Sequence, residues 1–193
     1  MINALTIDVE DYYHVTAFER YVSTDSWDNY PSRVADNTLR ILDLLDEHSM
    51  KATFFILGWV AERQPGLVRA IRDNGHEIAC HGHGHQLIYR IGPDAFRCDV
   101  RRAKMALEDI CGRPVSGYRA PSYSITQDSL WAFDILIEEG FKYDSSIFPI
   151  AHDIYGIPQA RRFPHDISRD CGTIREFPLS TLRLRLFNRN ISV

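Results

Sequence analysis

Residues 52–85 of the chain read ATFFILGWVAERQPGLVRAIRDNGHEIACHGHGH, and their pattern gives the clearest indication of the fold. It opens with a continuous apolar run, 52–57, which is typical of a strand that is buried on both faces. Pro65 then stands in the first turn of a predicted helix that ends before Gly75, because proline suits a helix start and glycine a helix end. Residues 77–80 form the next predicted strand. This order indicates parallel strands joined by a helical crossover.

The alternation of strands and helices continues on both sides of this stretch. The sequence predicts further strands over 4–9, 117–121 and 141–144, helices over 32–48, between Gly92 and Gly112 and over 128–140, and two late strands over 173–179 and 181–187. Such repetition indicates an α/β protein with a parallel sheet, either open and doubly wound or closed into a barrel. In both architectures ligands bind at the C-terminal ends of the strands.

Length and composition indicate one folded domain. The 193 residues are 45% apolar and 25% charged, close to the average of soluble globular proteins. The net charge is only -4 and no long basic run occurs, so the sequence does not predict nucleic-acid binding. The four cysteines form no Cys-x-x-Cys pair, which predicts reduced, mostly buried thiols.

The N-terminal sequence has none of the features of an export signal. It lacks a basic segment and reaches acidic residues early, and no apolar run in the chain extends to the roughly 18 residues of a membrane span. The sequence therefore predicts a cytoplasmic protein without a membrane span.

Polar side chains stand at the ends of the predicted strands. Asp8 and Glu10 end the first strand on one face, because side chains alternate along a strand. His81 follows the third strand, and Arg119 and Asp144 end the next two. Since the C-terminal ends of parallel strands share one edge, the sequence predicts a catalytic centre there.

The histidine cluster indicates a metal site. His81, His83 and His85 fall within five residues, and the glycines between them let the backbone fold tightly. One carboxylate with two imidazoles is a common ligand set for catalytic zinc and leaves a position for water. The bound water becomes nucleophilic near neutral pH, and a second carboxylate can take its proton. These parts are typical of amide or ester hydrolysis.

Three motifs occur in the order of a known family. Residues 6–11 (Thr-Ile-Asp-Val-Glu-Asp), 75–85 with a His-x-x-x-His spacing, and 119–123 (Arg-Ala-Pro-Ser-Tyr) resemble those of the polysaccharide deacetylase superfamily, also called carbohydrate esterase family four or the NodB homology domain. The resemblance spans about residues 2–150. With Tyr-Asp-Ser-Ser at 143–146, the chain is most similar to the bacterial branch found with exosortase and exopolysaccharide loci.

The resemblance implies a role for each matching residue. Asp8 would be the general base, and His81 and His85 would be metal ligands, with His83 as a spacer. Arg119 would orient Asp8 through a charge-assisted hydrogen bond, for which its planar guanidinium group is suited. The implied cofactor is a divalent metal, zinc in the first place, with cobalt or a similar ion as the alternative.

The third ligand is implied to be a carboxylate close to Asp8. The family often has adjacent aspartates, whereas Val9 stands in the second place here, so the ligand is either Glu10 or Asp11. Strand alternation favours Glu10, because it places this residue beside Asp8.

The resemblance also assigns the groove and the general acid. Pro121, Ser122 and Tyr123 would line the groove for the acetyl group and offer a main-chain N–H to the oxyanion. The general acid of the family comes from a late Leu-x-His motif, which does not occur before Val193. Either the chain is truncated, which we favour, or His152 replaces the acid, or the domain lacks this group.

The implied protein is a single catalytic domain over 1–193, truncated at its C-terminus and folded as a distorted or incomplete (β/α) barrel. Its implied activity is metal-dependent hydrolysis of N-acetyl groups on an amino-sugar polysaccharide or its precursor, so its partner would be an N-acetylated polysaccharide or oligosaccharide. Two alternatives stay open: a hydrolase of small cyclic amides or imides, like allantoinase, and a catalytically impaired carbohydrate-binding domain. No oligomeric state is predicted.

The remaining histidines are given structural roles. His76 follows a glycine that ends a helix, which favours a structural polar partner. His14, His48 and His165 lie outside the motifs, so they are predicted to be surface residues. Cys80 precedes the first histidine ligand, and alternation predicts that its side chain points into the packing.

Overall fold

A computed structural model describes the backbone of residues 4–186 and 189–192 and the side chains of residues 4–182. The chain divides into two compact units, each built from two segments. The first unit comprises Met1–Gln86 and Cys98–Val115, and the second comprises Leu87–Arg97 and Ser116–Val193.

Parallel strands and helices make up the first unit. Its elements are β1 (Thr6–Val9), β2 (Thr53–Ile56), β3 (Glu77–Cys80), α1 (Val34–Glu47), α2 (Gly58–Arg63) and α3 (Pro65–Asp73), with 3-10 turns at Thr16–Phe18 and Thr24–Asn29. β2 lies between β1 and β3 and pairs with both in parallel. Val9, Ile56 and Cys80 end these strands side by side, so the residues that follow them lie at one edge.

β2 is the buried centre of the first unit. Phe54, Phe55, Ile56 and Leu57 are each at most 1% exposed, so side chains cover both faces of the strand. The apolar run therefore forms the doubly buried strand that it predicts. The helices add apolar side chains at helical spacing, namely Leu42 and Leu45 from α1 and Leu67, Val68 and Ile71 from α3.

Gly58 begins α2, a helix that the sequence does not predict. A Cβ atom at this position would lie 2.8 Å from His83 Cδ2 and 2.9 Å from Ala103 Cα. The glycine therefore permits a close approach of three segments, which no local pattern reveals.

The longest helix, α4 (Ile88–Cys111), begins earlier than predicted. It is broken at Gly92, where φ is 75°, and Pro93 follows. The sequence predicts a helix only after this pair, because both residues disfavour a helix interior. Its residues up to Arg97 belong to the second unit, and those from Cys98 onward belong to the first.

The second unit is also α/β. It contains β4 (Gly117–Tyr118), β5 (Tyr143–Asp144), β6 (His165–Arg169), β7 (Gly172–Glu176), α5 (Ala132–Glu138), 3-10 turns at Pro121–Tyr123 and Gln127–Ser129, and the antiparallel hairpin of β8 (Arg183–Leu186) and β9 (Arg189–Ser192). β4, β5 and β7 pair in parallel in this order, and β6 joins β7 antiparallel. Parallel strands with helices in both units confirm the predicted α/β class, and closure into an incomplete barrel stays a prediction.

The sequence does not predict β6. Ile167 is its only aliphatic residue, and its other side chains are exposed or half-buried, so the strand has no apolar alternation to reveal it. The predicted strand over 173–179 corresponds to β7, and that over 181–187 corresponds to β8, with Phe187 outside the described residues. Within the described part of the chain, the helices are too short or too polar to cross a membrane.

Candidate metal centre

Glu10, His81 and His85 bring three potential ligand atoms together where β1 and β3 end. These atoms lie within 4.8 Å of one another. Oε2 of Glu10 is 2.6 Å from Nε2 of His85 and 3.9 Å from Nε2 of His81. No other group of His, Cys, Asp and Glu side chains has this arrangement among the residues that the structure describes.

The separations suit a small divalent ion. Tetrahedral zinc at about 2.0–2.1 Å from each donor places neighbouring donors roughly 3.3 Å apart, and the two distances from Glu10 lie on either side of that value. Although Oε2 of Glu10 is buried close to His85, it has no hydrogen-bond partner of acceptable geometry among the described residues, and neither has Nδ1 of His85. A buried carboxylate oxygen without a partner is costly, and an ion would relieve this cost.

The electrostatics favour a charged carboxylate at Glu10. Burial raises its pKa, but the contact with His85 and the positive charges of His85 and His81 outweigh burial and lower the pKa to about 2. Glu10 is therefore ionised near neutral pH, in the form that binds a cation.

The chain turns sharply between the two histidines. The N–H of His81 continues the ladder of β3 by donating to the carbonyl of Ile56 at 3.0 Å. Gly82 then has a φ of 72°, and His85 has a φ of 48°, which is a strained value for a residue other than glycine. Such strain persists only where the surrounding structure enforces it, and it is frequent at functional sites.

His83 does not join the other two imidazoles. Its Nε2 lies 3.1 Å from Oε1 of Glu62, and Arg102 binds the Glu62 carboxylate through two hydrogen bonds of 3.0 Å. The ring therefore points to α2 and α4 instead of Glu10. Sequence reasoning missed Glu62, because no motif connects it with the histidines.

The two other carboxylates near Glu10 have different surroundings. Asp11 accepts hydrogen bonds from Oγ of Ser32 and from the main-chain N–H groups of Arg33 and Val34, at the start of α1. Asp8 is half-buried in β1, two residues before Glu10 and so on the same face by alternation. The structure thus groups Glu10 with the histidines and uses Asp11 at the start of a helix.

His14 is buried, so its predicted surface position is wrong. The side chain is 3% exposed, its Nδ1 accepts a hydrogen bond from the N–H of Asp11, and its ring meets those of Trp27 and Trp59 edge to face at 4.4 and 4.9 Å. Burial lowers its pKa to about 4. The only sequence signal for this burial is the density of aromatic residues around His14.

His76 and Cys80 have the structural roles that the sequence predicts. Nδ1 of His76 accepts a hydrogen bond from the N–H of Ala52, and Cys80 is fully buried. All four cysteines are free thiols, but Cys98 and Cys171 are exposed, so the prediction of mostly buried thiols holds for only half of them.

In the second unit, Arg119 is buried beside a pair of carboxyl groups. Its Nε donates to the carbonyl of Ser145 at 3.1 Å, and its Nη2 donates to Oγ of the same serine at 2.9 Å. Asp144 and Glu176 are partners in the register of β5 and β7, and both are fully buried. Burial raises the pKa of both groups, and the negative charge of Asp144 raises that of Glu176 further. The sequence singled out Asp144 and missed Glu176.

The predicted groove residues form a strained turn. Pro121, Ser122 and Tyr123 make a 3-10 turn, in which φ is 48° at Ser122 and 52° at Tyr123. Two consecutive left-handed residues cost of order 1 kcal/mol each or more, so the turn is held by its surroundings. Because proline lacks an N–H and that of Tyr123 donates to the carbonyl of Ala120, neither residue supplies the main-chain donor that the resemblance implies.

His152, the predicted substitute for the general acid, is exposed in the second unit. Its ring stacks on Tyr155 at 3.8 Å, and its Nδ1 lies 2.8 Å from a carboxylate oxygen of Asp153. Its role stays a prediction.

Two family models match the chain. A model described as polysaccharide deacetylase matches residues 20–136, which is more than half of the chain. A second model, described only as a domain of unknown function (DUF3473), matches residues 145–193.

Individual proteins are also similar to this chain. A peptidoglycan-N-acetylglucosamine deacetylase of Bacillus cereus is 34% identical over 49% of this chain and 35% of its own length. A chitooligosaccharide deacetylase of Bradyrhizobium is 34% identical over 47% of this chain and 42% of its own length. A crystal structure of a candidate polysaccharide deacetylase from Mycobacterium smegmatis superposes with a TM-score of 0.72 at 28% identity, covering 92% of this chain and 58% of that one. The chain thus spans less than two thirds of each of these proteins.

Proposed function

Because this chain belongs to the polysaccharide deacetylase family, we propose that it removes N-acetyl groups from an amino-sugar polysaccharide or its precursor by metal-dependent hydrolysis of the amide C–N bond. Two relatives whose names include peptidoglycan-N-acetylglucosamine and chitooligosaccharide support a substrate of this class.

The cluster of Glu10, His81 and His85 carries the proposal. Its two imidazoles and one carboxylate match a common zinc ligand set, so we propose zinc, with cobalt as the alternative. When bound, the ion would polarise water and the amide carbonyl. These three side chains would hold the ion, and Asp8 would serve as the base that accepts a proton from water.

The proposal also gives roles, on the strength of the resemblance, to Arg119 and to the turn that follows it. Arg119 orients the catalytic base, for which a buried guanidinium group held by Ser145 is suited. The turn of Pro121, Ser122 and Tyr123 lines the acetyl groove, and its strained backbone supports a functional role.

The finer assignments rest on sequence resemblance. Residues 143–146 together with residues 8–12 support membership of the bacterial branch that accompanies exosortase and exopolysaccharide loci, and hence a role in exopolysaccharide biosynthesis. A cytoplasmic location stays a prediction, which cell fractionation would test.

The deciding experiment measures acetate release. Purified protein, first stripped of metal by a chelator and then supplied with zinc or cobalt, is incubated with chito-oligosaccharides and with N-acetylated exopolysaccharide. We expect acetate only after metal is restored. Hydrolysis of small cyclic amides without acetate release would favour the allantoinase-like alternative. Sugar binding without turnover, unchanged by Asp8→Asn, would favour the impaired binding domain.

The metal assignment has its own test. We expect the double variant His81→Ala/His85→Ala to lose stoichiometric zinc, measured by elemental analysis of the purified protein, and to release no acetate. His48→Ala is the matched control, because this histidine is exposed on α1's C-terminal side and should leave the zinc content unchanged. Zinc retained by the folded double variant would refute the site.

A further inference from the structure

The loop between the two histidine ligands has no regular secondary structure. It follows His81 directly and contains Gly82 and Gly84. Glycine loses more conformational freedom on ordering than any other residue, so such a loop is costly to hold in one shape. Its shape must therefore be fixed by other elements of the first unit.

Asp99, on α4, holds this loop by its main chain. Its Oδ2 accepts a hydrogen bond from the N–H of His83 at 2.7 Å, and its Oδ1 accepts one from the N–H of Gly84 at 2.9 Å. Both oxygens of one carboxylate thus bind consecutive peptide groups. Hydrogen bonds to an ionised acceptor are stronger than neutral ones, and the site is half-buried, so water competes only in part.

The carbonyl groups of the loop are held by α2. The N–H of Gly58 donates to the carbonyl of Gly82 at 2.8 Å, and the N–H of Trp59 donates to that of His83 at 3.2 Å. Together with the two bonds to Asp99, these contacts hold four main-chain groups between the ligands. A contact of the His83 ring with Glu62 adds a side-chain anchor.

We propose that Asp99 is a positioning residue of the metal centre, which fixes the loop so that His81 and His85 face Glu10 before an ion binds. This inference rests on the proposed metal site and adds a residue outside the ligand set. A loop that is ordered in advance loses less conformational entropy on binding, so the affinity for the ion rises. Groups that orient metal ligands typically change metal affinity by about 10- to 100-fold.

The variant Asp99→Asn tests this inference. It preserves the size of the side chain but replaces one acceptor oxygen by an NH2 group that would face a main-chain N–H. We expect zinc affinity, measured by competition with a chromophoric chelator, to fall about 10- to 100-fold. Asp109→Asn is the matched control, because Asp109 is an exposed aspartate on the same helix, and its zinc affinity should equal that of the wild type.

Circular dichroism and urea unfolding of the metal-free variants establish that they are folded. A folded Asp99→Asn protein that binds zinc as tightly as the wild type overturns the proposal. If the variant does not fold, hydrogen exchange of the metal-free wild type decides. The amide protons of His83 and Gly84 should be protected without metal, and exchange at the rate of an unstructured loop would also overturn the proposal.

Failure of this inference is distinguishable from failure of the proposed function. If the folded variant His81→Ala/His85→Ala retains zinc, the metal site itself is wrong. If that variant loses zinc but Asp99→Asn binds it normally, the site stands and Asp99 has no part in positioning it.

Discussion

Glu10 and Asp11 are adjacent carboxylates with different tasks. Glu10 faces His81 and His85, and its pKa is lowered to about 2 although burial opposes this. Asp11 instead accepts hydrogen bonds from the first main-chain N–H groups near α1, which would otherwise lack partners. Both residues follow β1, which ends at Val9, and their side chains reach different surroundings.

Conservative substitutions of Glu10 and Asp11 should therefore affect two different properties, zinc affinity and stability. Glu10→Gln should lower zinc affinity by at least about tenfold, because it removes a charged ligand, and should leave the fold intact. Asp11→Asn should lower the free energy of unfolding by about 1–2 kcal/mol, because it weakens the hydrogen bonds at the start of α1, while zinc affinity is kept. Chelator competition and urea unfolding measure the two quantities. Zinc loss in folded Asp11→Asn with retention in Glu10→Gln would reverse the ligand assignment.

At the scale of elements, the junction of β2 and α2 requires glycine at position 58, because a larger residue would not fit. Gly58 lets α2 begin close to the histidine loop and α4, and its N–H donates to Gly82. Gly58 therefore affects both the packing of α2 against α4 and the shape of the histidine loop. This explains why an apolar strand can pass into a helix with only Leu57 between them.

Gly58→Ala should destabilise the protein by about 1–3 kcal/mol, because the new methyl group would overlap His83 and Ala103. Gly66→Ala is the matched control. Apart from its chain neighbours and its own helix backbone, no atom of the described residues lies within 4 Å of a Cβ at Gly66. Since Gly66 stands in α3, alanine should stabilise the protein by about 0.5–1 kcal/mol. Urea unfolding of both variants gives the comparison. Equal effects of the two substitutions would contradict the packing argument.

At the scale of the molecule, each of the two units contains its own group of buried ionisable side chains. The first holds the cluster of Glu10, His81 and His85, and the second buries Asp144 and Glu176 next to Arg119. Two carboxyl groups without solvent cannot both be ionised cheaply, so Glu176 keeps its proton to a higher pH than in an unfolded chain. The stability of the protein should therefore depend on pH through this pair.

The sign of this dependence follows from the raised pKa of Glu176. Its contribution to stability is fully present below the unfolded pKa of about 4.3 and is lost as the pH rises through the folded pKa. Glu176→Gln cannot ionise, so the variant should gain stability relative to the wild type as the pH rises from about 4.5 to 8. Urea unfolding across this range, with the exposed Asp170→Asn as control, measures the difference. A constant difference between Glu176→Gln and the wild type would contradict the assignment.

Much of the architecture was predictable, because it is encoded locally. The apolar run over 52–57 together with Pro65 and Gly75 predicts that β2, α3 and β3 follow one another in the chain, which the structure confirms. Elements without such a pattern escaped prediction: α2 is only six residues long, and β6 is mostly polar. The burial of His14 also escaped, because it depends on rings that are distant in sequence.

The α/β class, the order of the main elements and the candidate ligands His81, His85 and a nearby carboxylate follow from the sequence alone. Only the tertiary structure decided that Glu10, and not Asp11, faces the histidines, that His83 turns to Glu62, and that Asp99 holds the loop. The reason is physical. Periodicity relates residues a few positions apart, whereas a contact between distant residues depends on strand register and side-chain direction.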